Sequence, residues 1–341
     1  MTLLKELLSV PSPGGREERI AAIVRGRLED AGYSRETDSA GNVIVRFAGQ
    51  QPDLPLMAVA AHLDEIGMVV TAINPDGTLS VDRSGRLYPY KLGECAVDII
   101  GDDGIVTGVT SMGSTHTADA DRRQITWRDV RIFTGFSTQQ LAERGIRPGS
   151  TAVPVAQARG PYLLGEPGDP FVAAWTLDDR GGILTLIRLL QNLKAANLHP
   201  HHPTIVAFTV HEEGGCHGAK VLAHRERPEI FLAIDGCPIL PGSQMLADER
   251  PCTWSMDAKG HYDQRLIRDL HAAAREAGIE LQTAVLPNAY SDASAVYDSG
   301  AAPRVAILGH GRENSHGFEI AKLRVFDNLL NVLEQFIRVA H

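Results

Sequence analysis

The chain has 341 residues, 43% of them apolar and 22% charged, with a net charge of -9. That length suggests two domains, and the composition is that of a soluble globular protein with a large core. No lysine- or arginine-rich block is present, which excludes the electrostatic footprint of a nucleic-acid binder, and no apolar run is long enough to span a membrane. Cys95, Cys216, Cys237 and Cys252 form no C-x-x-C pair, so neither a zinc ribbon nor a disulfide framework is read. Free thiols in a reducing cytoplasm are expected. The opening "MTLLKELLSVPSPGGREE" is too broken by charge and proline to read as a secretory signal.

Residues 15–32 read as an amphipathic helix, with Ile20, Ile23, Val24 and Leu28 on one face and Gly32 as its stop. "NVIVRFAG" and "LMAVAAHLDEIG" read as strands. The second is apolar on both faces up to His62, as a central strand of a covered sheet would be. After Gly67 the texture changes. "MVVTAINPDGTLSVDRSG" is strand, turn and strand around Pro75-Asp76-Gly77, and "AVDIIGDDGIVTGVTSM" repeats the pattern around Asp102-Asp103-Gly104. In "STQQLAERGIRPGSTAVPV", Ser137 or Thr138 caps a short helix, Gly145 ends it, and Arg147-Pro148-Gly149 turns into a further strand. Residues 68–166 are therefore expected to form a separate β-rich unit, with "LLGEPGDP" as a linker.

From Ala173 onward strands and helices alternate. "LDDRGGILTLIRLLQNLKAAN" is a helix, "PTIVAFTV" a buried strand, "GAKVLAHR" a helix and "EIFLAID" a strand. "HYDQRLIRDLHAAAREAG" is a helix, "IELQTAVL" a strand, and "SDASAVYDSG" a helix capped by Ser291 or Asp292. "PRVAILG" is a strand, and "LRVFDNLLNVLEQFIRVA" the closing helix. The expected fold is α/β: a mostly parallel sheet flanked by helices, built from residues 1–67 and 167–341 around the β-rich insert.

Residues able to bind metal gather at strand ends: His62 and Asp64 in "AAHLDE", Asp178 and Asp179 in "WTLDDR", Glu212 and Glu213 in "TVHEEGG", Asp235 in "LAIDG" and His316 in "ENSHGFE". Ligands of open α/β sheets bind outside the carboxyl ends of the strands, so several of these groups converge on one rim. Each has an ordinary structural reading as well: an H-x-D beside a cap, an Asp pair as a helix N-cap, a solvated glutamate pair. Together they amount to two imidazoles and several carboxylates without thiolate. That set suits zinc, cobalt or manganese, and suits a pair of ions about 3.5–4 Å apart.

The sequence resembles the M42 family of metallo-aminopeptidases, the glutamyl or tetrahedral aminopeptidases of the co-catalytic zinc peptidase clan. The matching segments are "PSPGGREE", "AHLDEIGMVV", "GIRPGSTAV", "TLDDRGGI", "TVHEEGGCHGA", "AIDGCP", "YSDASAV" and "NSHGFEIAKL", spread over nearly the whole chain. The insert between His62 and Asp178 separates this pattern from that of the M20 peptidases and deacylases, whose lid lies beyond the glutamate pair. The M28 peptidases lack an equivalent insert.

The resemblance implies a PDZ-like oligomerisation domain at residues 68–166 and two divalent ions, zinc first, with cobalt or manganese as alternatives. It implies His62 on one ion with Asp64 orienting its imidazole, Asp178 as the bridge and Asp235 completing the His62 ion. Glu213 and His316 would hold the other ion, and Glu212 would be the general base. Peptides are the implied substrates, cleaved by water activated between the ions, and a homo-oligomer from dimer to dodecamer is the implied assembly. No nucleic-acid or membrane partner is expected.

Three departures stand out. His211 replaces the family's usual glutamine before the glutamate pair. Gly317 follows His316, leaving His310 as the only nearby substitute ligand. "PNAYSDA" lacks the expected glycine pair. Two other readings compete: a metal-dependent deacylase or dipeptidase acting on small N-acylated amides, and a non-catalytic scaffold on a peptidase fold.

Overall fold

The computed structural model describes residues 1–116, 124–339 and 341. Its central sheet has nine strands among the described residues. Four lie side by side and parallel, in the order Thr204–Thr209, Met57–His62, Ile230–Pro238 and Arg304–Arg312. Val43–Phe47 runs antiparallel on one flank and Pro251–Asp257 antiparallel on the other.

The central strands are buried on both faces, and alternation divides their side chains between two cores. Val59 and Ala61 enter the larger core with Leu184, Ile187 and Leu329, while Ala58 and Ala60 face Leu222, Ala293 and Val296 on the other side. Apolar burial on both faces therefore stabilises a three-layer arrangement. The helix Gln264–Glu276 shows how local sequence fits this scheme. The Asp263 side chain caps it by accepting from the amides of Arg265 and Leu266, and Leu266, Ile267, Leu270 and Ala273 recur on its buried face.

The register fixes what stands at the strand ends. Thr209 is opposite His62, and Ala233 is opposite Ala60, so Asp235 and His62 finish level with each other. The expected mostly parallel sheet is present, and so is a β-rich insert. Six antiparallel strands, Gly67–Ile73, Leu79–Ser84, Ala96–Ile100, Ile105–Ser111, Arg131–Phe133 and Thr151–Pro154, close into a barrel around Met68, Val81, Ile99 and Ile132. Ser137, rather than Thr138, caps the short helix within it, and Ser291, rather than Asp292, caps Asp292–Asp298.

The linker reading of "LLGEPGDP" needs correction. Tyr162–Leu164 and Phe171–Trp175 are antiparallel strands, and the Pro- and Gly-rich stretch between them turns a hairpin that Phe318–Lys322 extends. Turn and linker share a composition, and here the deciding partner lies far along the chain. Thr2–Ser9 is a helix that buries Leu4, Leu7 and Leu8. No helix among the described residues is long and apolar enough to cross a membrane.

A buried ionic knot sits where the chain enters and leaves the barrel. Glu65 accepts from the Ser12 amide at 2.6 Å, from Arg159 Nη2 at 2.5 Å and from Trp175 Nε1 at 3.0 Å, and Arg180 lies 3.5 Å away. All four partners of this carboxylate are held in the interior. Glu65→Ala strands two guanidiniums without their shared anion. We expect a loss of about 3 kcal/mol or more in denaturant unfolding, since breaking a buried pair from one side leaves an uncompensated charge.

Candidate metal centre

His62 ends its strand with the imidazole buried. Its Nε2 is 3.1 Å from Asp178 Oδ1 and 4.0 Å from Glu212 Oε2. Its Nδ1 is 3.1 Å from the Asp64 backbone carbonyl and 3.5 Å from the Asp64 carboxylate. The role expected of Asp64 is to orient His62 through its side chain, and its carboxylate has further contacts. Its two carboxylate oxygens accept from the amides of Glu212 at 2.8 Å and Glu213 at 3.0 Å. Asp64 thus fixes the backbone of the glutamate pair.

That pair does not stand on a strand. The strand ends at Thr209, His211 takes a left-handed conformation with φ of 56°, and Glu212 to Gly215 form a turn. The glycines Gly214 and Gly215 suggest a break after the glutamates, but the chain leaves the strand before them, at His211. Beyond that break the two glutamates leave strand alternation and both line the same cavity. The His211 ring turns the other way. It is 41% exposed, lies 3.7 Å from Glu17, and is not among the residues lining the cavity.

Asp178 and Asp179 face different partners. Asp179 accepts from the Gly182 amide at 2.9 Å, the N-cap role, and keeps one buried oxygen without a partner. Asp178 faces His62 on one oxygen. On the other it accepts from Arg312 and lies 3.6 Å from His316 Nε2. His316 Nε2 is also 3.7 Å from Glu213 Oε2. His310 is not brought to the cluster. Its ring packs on Phe326 with both nitrogens unpartnered, and burial lowers its basicity to a pKa of about 3.

Donor atoms of His62, Asp178 and Glu213 lie within 4.8 Å of one another, as do those of Asp178, Asp179 and Asp235. The electrostatics show what such crowding costs. Burial, with repulsion from neighbouring carboxylates, raises Glu212, Asp179 and Asp235 well above the usual range and pushes Glu213 up to about 7. Burial would lift Asp178 too, but Arg312, His316 and His62 hold it well below. Burial opposes protonation of His316, yet Glu213 and Asp178 raise it to about 9. Behind Glu212, Cys216 Sγ is 3.5 Å from the glutamate carboxylate, and burial lifts Asp292 to about 6.

These shifts set a pH dependence for the metal-free protein. A carboxyl or imidazole with a raised folded pKa contributes stability that is complete below its unfolded pKa and is lost as pH rises through the folded value. For Asp292, Glu213 and His316 the loss starts near the ordinary values of 3.8, 4.5 and 6.5 and ends near about 6, 7 and 9. Asp178, being lowered, opposes this only under acid conditions. Calorimetry of metal-stripped protein should therefore show Tm falling as pH rises from about 5 to 9, and metal-loaded protein should show a shallower fall.

The cluster opens into a cavity of about 480 Å³. Its far wall comes from the chain between two barrel strands, Arg86, Tyr88, Tyr90 and Lys91, and from Asn288 and Tyr290 beside the central sheet. Arg86 donates to the Asn288 carbonyl at 2.7 Å and ties the two walls together. Sequence reasoning assigned no site role to Arg86, Arg312 or Glu319 and offered Asp292 only as a helix cap, although Asp292 lies in "YSDASAV" and Glu319 in "NSHGFEIAKL", two of the matching segments.

Imidazoles and carboxylates at the carboxyl ends of parallel strands, with a proton-accepting carboxylate beside them, are the marks of a metal-dependent hydrolase. Comparison with known proteins narrows this. The chain belongs to the M42 glutamyl aminopeptidase family, whose model matches residues 41–332. The glutamyl aminopeptidase of Lactococcus lactis subsp. cremoris is 28% identical over 242 residues, 69% of this chain and 66% of that protein. The lysyl aminopeptidase of Pyrococcus furiosus is 29% identical over 246 residues, 68% and 65% of the two chains. A structure of the TET1 peptidase of Pyrococcus horikoshii, which can assemble into a tetrahedron or a large octahedral shell, superposes with a TM-score of 0.86. Its identity is 27%, over 99% of this chain and 98% of that one. The chain is a metallo-aminopeptidase of this family.

Proposed function

We propose that this enzyme is a dinuclear aminopeptidase that removes N-terminal residues from peptides, with Glu212 as general base. The observation that carries the reading is the convergence of His62, Asp178, Glu213, Asp235 and His316, from separate elements, on one buried cluster beside Glu212.

The residues present fit divalent cations. The donors are nitrogen and carboxylate oxygen, which suits zinc, cobalt or manganese. Several carboxyls are raised well above their usual range by burial and mutual repulsion, and one buried Asp179 oxygen has no partner among the described residues. In this reading His62, Asp178 and Asp235 hold one ion, and Asp178, Glu213 and His316 hold the other. Bound there, the ions supply Lewis-acid polarisation of the scissile carbonyl and acidify water.

The protein's own groups do the rest. Glu212 faces the cavity with its carboxylate raised by burial, which favours taking a proton from the attacking water and handing it to the leaving amine. Asp64 keeps Glu212 and Glu213 in place through their amides. The carboxylates of the cluster attract the free α-amino group of the substrate, which gives the preference for chain ends.

The barrel, residues 68–166 in our division of the chain, serves as an assembly domain. Val109 and Phe133 leave apolar surface exposed on it, and a homo-oligomer between dimer and dodecamer is the matching state. The free thiols fit a reducing compartment such as the cytoplasm.

The decisive assay sets aminoacyl anilides with a free amine against their N-acetylated counterparts. We expect turnover of the free amines and none of the blocked ones. Preference for the blocked series would transfer the assignment to a deacylase on small N-acylated amides.

A further inference from the structure

The strand Arg304–Arg312 ends in an arginine that is 3% exposed and stands against the metal centre. Its Nη2 donates to Asp178 and to Ser315 Oγ, the latter at 3.2 Å, and its Nε lies 2.9 Å from Glu319 Oε1. Nη1 has no partner. The group lies against the backbone beside Asp235, since a Cβ at Gly236 would sit 1.3 Å from Nη1. Glycine at 236 is thus what leaves room for the guanidinium.

The anion that holds Arg312 also holds two candidate ligands. Glu319 accepts from the Asp178 amide at 2.8 Å and from the His316 amide at 3.0 Å. Arg312 and Glu319 form a buried pair wedged between Asp178, Asp235 and His316. A guanidinium stays charged at any pH the protein meets, unlike the two histidines. In a cluster so rich in carboxylates it is a fixed cation in direct contact with the residue expected to bridge both ions.

We propose that Arg312 is a positioning residue that acts as a built-in counter-cation of the metal centre. It keeps Asp178 oriented before ions arrive, and it carries part of the positive charge that the carboxylates require. This rests on the reading of Asp178 as a metal ligand. Two consequences follow from charge alone. The metal-free site is less self-repelling than its carboxylate count implies. An ion bound next to Arg312 is held less tightly than the same donors would hold it without a neighbouring cation, so it exchanges more readily.

The test uses full-length, metal-stripped protein with zinc as the probe. Zinc affinity is read by competition with a chromogenic chelator, and Tm is read without metal. Arg312→Gln should melt lower when metal-free yet bind at least one zinc about tenfold or more tightly. Arg312→Lys keeps the charge and should restore affinity to near the wild-type value. Gly236→Ala displaces the guanidinium and should shift affinity in the same direction as Arg312→Gln; if the glutamine variant does not fold, Gly236→Ala and Arg312→Lys still decide the matter. Two zinc ions per wild-type chain with unchanged or weaker zinc binding in both Arg312→Gln and Gly236→Ala would overturn the inference and leave the reading of the site intact. A wild-type chain that binds no zinc would remove that reading, and the inference with it.

Discussion

Glu212→Gln is expected to lower kcat by about 10³-fold while leaving bound metal unchanged, because removing a positioned general base forfeits its whole proton-transfer contribution. Glu212 belongs to neither proposed ligand set, so elemental analysis should find wild-type metal content. The fold should tolerate the change. In the metal-free protein, burial and the neighbouring Glu213 and Asp235 raise this carboxyl well above its usual range, so the surroundings already disfavour its charged form and accept an uncharged amide. The backbone that carries it stays clamped by Asp64. Near-normal turnover in the glutamine variant would remove Glu212 from the base role.

Asp178→Asn should have effects of a different kind, on metal and stability together. Asp178 is approached by His62 on one oxygen and by Arg312 and His316 on the other, and Arg312 holds it ionised. The amide offers one acceptor where there were two, and no charge. Bound metal should fall below two ions per chain, and activity should drop by about 10³-fold or more, since the ions carry the Lewis-acid part of catalysis. Arg312 would be left buried with Glu319 as its remaining anion, at a cost of about 3 kcal/mol in the metal-free protein. Metal content and denaturant unfolding separate the two effects. Wild-type values of both would contradict the bridging role.

Much of this centre was legible in the sequence because the strands that present it are buried on both faces. Such strands read as unbroken apolar runs, and a carboxylate or imidazole at the end of one stands out. His62 after "MAVAA", Asp235 after "IFLAI" and Glu212-Glu213 after "TIVAFTV" were found in this way. Pairing between distant segments was not legible. Pro251–Asp257 joins the sheet beside Arg304–Arg312, and Phe318–Lys322 pairs with Phe171–Trp175, yet neither segment has a local pattern that requires its partner.

The glutamate pair shows a finer limit. Its side chains had to leave strand alternation, and the glycines after it were the natural place to look. The left-handed residue is His211 instead: histidine is enriched among the uncommon non-glycine residues at positive φ, but that preference is weaker than the signal of a neighbouring glycine pair. The dipeptide Asp178-Asp179 fitted both a cap and a ligand. Packing puts Asp179 on the Gly182 amide and turns Asp178 toward His62 and Arg312. Arg312 and Glu319 were invisible for a simpler reason: an arginine at the end of one strand and a glutamate on a short strand of another sheet look solvated until the fold places them against each other.

The central claim is that this cluster holds two divalent ions on the residues named. Zinc per chain, counted by elemental analysis after metal loading and removal of free ion, tests it most directly. Two ions on the wild-type chain and on Glu212→Gln, with fewer on Asp178→Asn, is the result expected. No bound metal on the wild-type chain, or two ions on all three, would contradict it.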